Sequence, residues 1–194
     1  ARYIAKNLVA AGFAEKIDII NMNNIPMKHT IELLKNRNNI QEKIIEFIKN
    51  ADLYMDDFKY VDGDKIQVDA SDEAGRPEEK ALDIPENIMD QIRLVSTYKG
   101  VPVPSMIFDS TGTKKIAAIA SYVIEALEEG RYLVVDELDS SIHFKLTRAI
   151  VALFNNELNT NAQMIFTVHD INLMDCKENP QQFKNYLKSL ILLL

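Results

Sequence analysis

The chain has 194 residues, of which 29 are acidic and 22 basic, so its formal net charge is −7. Hydrophobic residues make up 47% and charged residues 26%, which excludes global disorder. The acidic balance disfavours a surface that coats nucleic acid. The single cysteine, Cys176, indicates a reducing, cytoplasmic compartment. No apolar run reaches the roughly 18–20 residues of a membrane span, so we expect no membrane partner.

The first half of the chain predicts helices followed by two hairpins. Residues 1–12 predict a short amphipathic helix, and residues 30–50 repeat apolar side chains at helical spacing after a capping Thr30. Residues 69–87 are rich in Asp, Glu and Pro, which is typical of a solvated loop. The strands of the predicted hairpins are 54–61 with 65–68, and 92–98 with 101–108.

The second half predicts an α/β fold with parallel core strands. Residues 113–129 form an amphipathic helix that ends at Gly130. The runs 132–135 and 164–168 are continuously apolar, which is typical of strands buried on both faces of a parallel sheet, and 143–155 forms the helix between them. We expect the two strands to be parallel neighbours with both helices packed on their sheet.

Polar residues follow both of these strands. Asp136, Glu137 and Asp139 come after the first strand, and His169 comes after the second. The carboxyl ends of parallel strands meet at one edge, where such sheets bind ligands, so we expect Asp136, Glu137 and His169 to lie close together. Taken singly, each also fits a structural role, the acidic residues as turn caps and the histidine as a hydrogen-bonding group.

The segment 109–115 opens the helix that precedes the first of these strands. Hydroxyl residues and a glycine at a helix N-terminus leave backbone N–H groups free, and the helix dipole adds positive potential, so together they bind anions. An ordinary N-cap by Ser110 or Thr113 is the alternative. The six glycines are never closer than 12 positions, so the G-x-x-x-x-G-K-[ST] phosphate loop cannot occur within these residues.

The order of these motifs resembles the C-terminal half of an ABC-type ATPase head. The nearest likeness is to AAA-family ATP-binding proteins related to the SMC, Rad-fifty and OLD ATPases. In that family the signature loop reads approximately E-S-x-G-T-K, and Asp109 here replaces its glutamate. The likeness is strong over residues 109–175 and weaker over 30–108. The matching signature residues are Ser110, Thr111, Gly112, Thr113 and Lys114.

The resemblance implies a role for each motif residue. Asp136 in the Walker B strand would hold Mg²⁺ through water, and Glu137 would polarise the water that attacks the γ-phosphate of ATP. His169 would contact the γ-phosphate and the attacking water. The signature would bind ATP held by the opposite subunit of a homodimer, with Ser110 pointing towards that partner. Communication across the dimer would fall to the D-loop residues Asp139, Ser140 and Ser141.

The resemblance also implies partners and a domain plan. An upstream lobe would carry the Walker A loop, and without it we expect the isolated chain to be inactive. DNA or a component of a defence system are further partners suggested by relatives. The expected units are a helical segment (1–50), a β-rich subdomain (51–108) and an ATPase lobe (109–194) that we expect to be truncated. Both chain ends, without an initiating Met and with an apolar tail, suggest a piece of something longer.

Two other functions fit part of the pattern. A metal-dependent nuclease would use Asp136, Glu137 and Asp139 as a carboxylate cluster, but it does not explain the signature loop or His169. A non-catalytic interaction module could keep the fold, although the presence of both Glu137 and His169 argues mildly against it.

Overall fold

The computed structural model describes residues 16–36, 38–51, 54–61 and 85–170, which form two three-stranded sheets and the helices around them. The strands are β1 (Ile17–Asn21), β2 (Asp57–Tyr60), β3 (Leu94–Tyr98), β4 (Val101–Pro104), β5 (Tyr132–Asp136) and β6 (Gln163–Phe166). The helices are α1 (Lys28–Asn36), α2 (Asn38–Ala51), α3 (Glu86–Arg93), α4 (Ser105–Phe108), α5 (Thr111–Glu129) and α6 (Phe144–Phe154). A short 3-10 turn, Met22–Asn24, follows β1.

The parallel sheet has the order β1-β5-β6. β5 and β6 are parallel neighbours joined through α6, so the predicted strand–helix–strand unit and its α/β class are confirmed. Leu133, Val134 and Val135 are fully buried, as their continuous apolar run requires. The third strand, β1, was not predicted from the sequence. It pairs with β5 from Ile17↔Tyr132 to Asn21↔Asp136, so the N-terminal segment and the C-terminal lobe share one sheet.

The central helix α5 begins and ends where its sequence indicates. Ser110 is the N-cap, because its Oγ accepts a hydrogen bond from the Thr113 N–H at 3.0 Å. Gly130 ends the helix in the left-handed conformation, with φ +66°. Eleven residues of α5 are buried, and its apolar side packs against α1, α2 and β5.

The predicted helix 30–50 is two helices, and Thr30 does not cap it. α1 begins two residues earlier, at Lys28, and Thr30 is fully buried against α5. Its Oγ1 lies 3.0 Å from the carbonyl oxygen of Ala117 and 3.0 Å from Ser121 Oγ. A hydroxyl that resembles a cap in the sequence is therefore a contact between helices, because the apolar face of α1 continues on both sides of it.

The small sheet is antiparallel, with the order β2-β3-β4. The hairpin of β3 and β4 around Lys99 and Gly100 is confirmed, although 92–93 belong to α3 and 105–108 form the helical turn α4. β2 is shorter than predicted and pairs with β3. Residues 86–87 of the predicted loop begin α3.

Several predictions fall outside the described residues. They are the helix 1–12, the strand 65–68, most of the acidic loop 69–87 and everything after residue 170. Within the described ranges, no helix is both long enough and apolar enough to cross a membrane.

Candidate functional site

Three polar side chains meet where the strands of the parallel sheet end. Asn21 closes β1, Asp136 closes β5, and Thr167 follows β6. Asn21 Nδ2 donates to Asp136 Oδ2 at 3.2 Å, and Thr167 Oγ1 donates to Asp136 Oδ1 at 2.7 Å. The strand register therefore fixes the Asp136 carboxylate with one donor on each oxygen.

Glu137 lies one residue beyond Asp136 and has an unusual backbone. Its φ is +56°, in the left-handed region that side-chain-bearing residues adopt only at a cost in free energy. Its N–H donates to Thr167 Oγ1 at 2.8 Å, and its side chain is 34% exposed. The chain thus turns sharply after β5 and directs the Glu137 carboxylate out of the sheet edge instead of into the core.

His169 faces the Glu137 carboxylate. Its Nε2 lies 3.9 Å from Glu137 Oε1, and its side chain is 81% exposed. The sequence prediction that Asp136, Glu137 and His169 share one edge of the sheet is confirmed in its geometry. The distance is too long for a direct hydrogen bond, but one water molecule at about 2.8 Å from each group can bridge it.

Asp139 holds the loop that carries His169. Its Oδ2 accepts the backbone N–H of His169 at 2.9 Å and that of Asp170 at 3.0 Å. Its other oxygen, Oδ1, is buried and has no hydrogen-bond partner in the described structure. One carboxylate oxygen therefore fixes the position of the histidine relative to Glu137 through the backbone.

The predicted signature residues lie at the start of α5, next to the D-loop of the same chain. Ser110 and Thr111 are exposed, whereas Thr113 is buried and Lys114 is half-buried. A Cβ on Gly112 would lie 3.0 Å from the Ser141 carbonyl oxygen, so a larger residue at this position requires the two segments to move apart by a few tenths of an ångström. The structure thus brings the segments predicted as the signature turn and the D-loop together within one chain.

Asp109, which stands at the glutamate position of the family's signature, anchors this turn to the small sheet. It is 7% exposed. Its Oδ2 accepts hydrogen bonds from Ser96 Oγ at 2.5 Å and Ser105 Oγ at 2.6 Å, and its Oδ1 accepts one from Tyr98 OH at 2.9 Å. Asp109 therefore connects β3 and α4 to the residue that begins α5.

Sequence reasoning assigned no role to four side chains that complete the site. Asn23 donates through Nδ2 to Glu137 Oε2. Lys115 Nζ donates to Ser140 Oγ at 3.1 Å and to Ser141 Oγ at 3.2 Å. Asn21, Asn23 and Thr167 contact Asp136 and Glu137 directly, whereas Lys115 contacts the neighbouring serines. The rule that identified Asp136, polar residues after an apolar strand, would also have found the asparagines had β1 been recognised.

The donor set at this edge suits Mg²⁺ bound together with phosphate. Mg²⁺ in nucleotide sites takes one or two carboxylates and completes its shell with water and phosphate oxygens. Asp136 supplies such a carboxylate, held rigidly at the strand end. No group of three or more His, Cys, Asp or Glu side chains in the described part of the chain is arranged to hold a metal ion. Asp139, which the nuclease alternative would use as a metal ligand, has its Oδ2 bound to the backbone N–H groups of the His169 loop.

The mixed α/β fold with its parallel sheet is consistent with a P-loop ATPase-like AAA domain, for which nucleotide binding is the general activity. The model of one family matches residues 16–175, which is most of the chain. The chain belongs to this family, whose description is "AAA domain, putative AbiEii toxin, Type IV TA system". A search of curated proteins found no match.

Proposed function

We propose that the chain supplies the hydrolytic half of an ATP site in an ABC-type head. The observation that carries this proposal is the common position of Asp136, Glu137 and His169 at one sheet edge, with 3.9 Å between Glu137 Oε1 and His169 Nε2. Polar side chains at the ends of neighbouring parallel strands are the usual ligand-binding arrangement of this architecture. Asp136 would hold Mg²⁺, which would neutralise charge that develops on the phosphates.

Glu137 acts as the base or positioning group for the attacking water. A water between Glu137 Oε1 and His169 Nε2 donates a proton to the carboxylate, which leaves its lone pair directed away from the protein. His169 contacts the same water and the γ-phosphate, and Asp139 keeps His169 at this distance through two backbone hydrogen bonds. The left-handed backbone at Glu137 supports this role, because strained residues persist where geometry serves function.

The start of α5 acts on ATP held by a second copy of the chain. Ser110 and Thr111 are exposed, and the helix dipole favours an anion at this end. Because Ser110 Oγ already caps its own helix, the contact to phosphate comes from the exposed side of this turn and from its backbone N–H groups. The phosphate loop itself comes from a separate lobe, since none occurs within these residues.

ATP turnover of the chain combined with a lobe that carries the phosphate loop tests the catalytic assignment. We expect little turnover by the chain alone. In the combined head, Glu137→Gln should lower turnover by about 10²–10⁴-fold while ATP binding survives, because the shape is kept and the charge is lost. Glu157→Gln, an exposed glutamate in the loop after α6, is the matched control. Near-normal turnover of Glu137→Gln, or robust turnover by the chain alone, would contradict the proposal.

Mixing two inactive variants tests whether the signature works on the opposite subunit. Ser110→Asp keeps an N-cap but repels phosphate, and Glu137→Gln removes the base. A heterodimer of the two contains one intact composite site if the signature acts across the interface. An equal mixture should then recover about a quarter of wild-type turnover, because half of the dimers are mixed and each has one working site. No recovery would place the signature in the same site as Glu137 of its own chain.

A further inference from the structure

A row of hydrogen bonds connects the signature helix to the hydrolytic carboxylate. It begins at Lys115 on α5, whose Nζ donates to Ser140 Oγ at 3.1 Å and to the Ser140 carbonyl at 3.3 Å. Ser140 Oγ donates to Asn23 Oδ1 at 2.6 Å. Asn23 Nδ2 then donates to Glu137 Oε2. Three segments far apart in the sequence, the turn after β1, the D-loop and the signature helix, are thereby joined.

The direction of every bond in this row is fixed by its two ends. The Lys115 ammonium can only donate, and the Glu137 carboxylate can only accept. The Asn23 amide must therefore present its NH₂ to Glu137 and its oxygen to Ser140. Ser140 must accept from Lys115 and donate to Asn23. With no alternative direction available, a shift at either end is transmitted through the row.

The row also distinguishes the two oxygens of Glu137. Oε2 accepts the hydrogen bond from Asn23, whereas Oε1 is the oxygen that faces His169 at 3.9 Å. Asn23 thereby holds the carboxylate with its second oxygen towards the water position. Asn23 itself is exposed in the 3-10 turn after β1, so its side chain contributes little to the core.

We propose that Asn23 is a positioning residue for Glu137 and that Lys115 controls it through Ser140. This rests on the proposed function, and it adds a coupling inside one chain between phosphate binding at the signature turn and the orientation of the base. Lys115 is one turn of α5 beyond Thr111, and Gly112 packs against the Ser141 carbonyl, so movement of this turn carries Lys115 and the D-loop with it.

Two substitutions break the row at different points. Asn23→Asp keeps the shape and the acceptor for Ser140 but presents a carboxylate oxygen to Glu137. Lys115→Met keeps the apolar stem and removes the charge. Their matched controls are Asn24→Asp, the same change at the neighbouring exposed position, and Lys145→Met, an exposed lysine at the start of α6. All four sites are at least partly exposed, so the unfolding midpoints should stay close to wild type.

In the reconstituted head we expect both test variants to lower kcat by about 10- to 100-fold, because a misplaced base loses near-attack geometry. The KM for ATP should change less than about twofold, since neither side chain is assigned a phosphate contact. The kcat of the Asn23→Asp/Lys115→Met double variant should be no lower than that of the less active single variant, because both substitutions act through one row. Lys115→Arg should recover part of kcat.

The inference is overturned if either test variant matches its control in kcat, or if the two effects multiply in the double variant. Glu137→Gln separates this failure from failure of the proposed function. If Glu137→Gln is inactive while Asn23→Asp and Lys115→Met are normal, only the coupling is wrong. If Glu137→Gln retains turnover, the catalytic assignment itself is wrong.

Discussion

Carboxylates occupy two regions of this molecule in contrasting ways. At the edge of the parallel sheet, Asp136 and Glu137 are partly exposed, and Glu137 Oε1 faces an exposed histidine across 3.9 Å. Below the small antiparallel sheet, Asp109 is 7% exposed and receives three hydroxyl hydrogen bonds. The first region keeps its carboxylates in contact with solvent, whereas the second uses its carboxylate inside the protein.

The contrast separates carboxylates that can act on a ligand from one that holds the fold. A buried carboxylate is tolerated only when donors compensate for the water it loses, so Asp109 depends on Ser96, Tyr98 and Ser105 and they depend on it. The sheet-edge carboxylates keep access to solvent and adopt a strained backbone at Glu137. We expect substitution of Asp109 to lower mainly the stability, and substitution of the sheet-edge carboxylates to lower mainly the activity.

The largest effect on stability is expected for Asp109→Ala. It leaves three hydroxyl groups without their acceptor in a buried place, so the free energy of unfolding should fall by about 3 kcal/mol. Asp136→Ala, at the open sheet edge, should cost about 1 kcal/mol or less. Urea unfolding of the two variants under identical conditions checks this. Equal losses would remove the distinction between the two regions.

Sequence reasoning was successful where a local pattern fixes the structure. The apolar runs that became β5 and β6 predicted a parallel pair, and parallel strands must bring their carboxyl ends together, so the proximity of Asp136, Glu137 and His169 followed. Ser110 and Gly130 marked the ends of α5 for equally local reasons, a side-chain cap and a left-handed residue.

The parts that were missed depend on contacts between distant segments. β1 has only five residues, and its pairing with β5 joins positions more than a hundred residues apart, so its sequence alone does not identify it. Without β1, nothing pointed to Asn21 or Asn23. The anchoring role of Asp109 likewise depends on Ser96 and Tyr98 in β3, which only the folded hairpin brings to it.

A smaller effect, of opposite sign, is expected for Glu137→Gly. Glycine adopts φ near +56° without a steric penalty, so the variant should gain about 1 kcal/mol of stability while it loses turnover. Glu137→Ala is the control, because it removes the carboxylate and keeps the Cβ that causes the strain. If Glu137→Gly is no more stable than Glu137→Ala, the backbone at this position is not strained.

Gly112→Ala tests the contact at which the proposed signature turn meets the proposed D-loop. Its new Cβ would lie 3.0 Å from the Ser141 carbonyl oxygen, so the D-loop must move by a few tenths of an ångström. Alanine also favours the helix by up to about 1 kcal/mol, so the net change in stability should be below that value. We expect turnover of the reconstituted head to fall several-fold. Unchanged turnover with unchanged stability would show that the D-loop tolerates the shift.

The smallest effect is expected at Asp90 on α3. Asp90 stabilises the small-sheet region through a charged partner, whereas Asp109 does so through neutral hydroxyl groups. Asp90 Oδ1 lies 2.6 Å from Lys35 Nζ and accepts a hydrogen bond from Tyr60 OH at 2.6 Å. Burial by itself raises the pKa of Asp90, but Lys35 and Tyr60 together outweigh burial, so the net pKa lies below its usual value. The native state therefore binds a proton less readily than the unfolded chain does.

The sign of the pH effect follows from this depressed pKa. The contribution of Asp90 is fully present above the pKa of an unfolded aspartate and is lost as the pH falls through the lower, folded value. The unfolding midpoint of the wild type should exceed that of Asp90→Asn at about pH 7, and the difference should shrink below about pH 4. Asn keeps an acceptor for Tyr60, so the comparison isolates the charge that faces Lys35 and Arg93. A difference that stays constant down to about pH 2 would mean that this pair is not linked to stability, and the small-sheet region would then depend on Asp109 without help from Asp90.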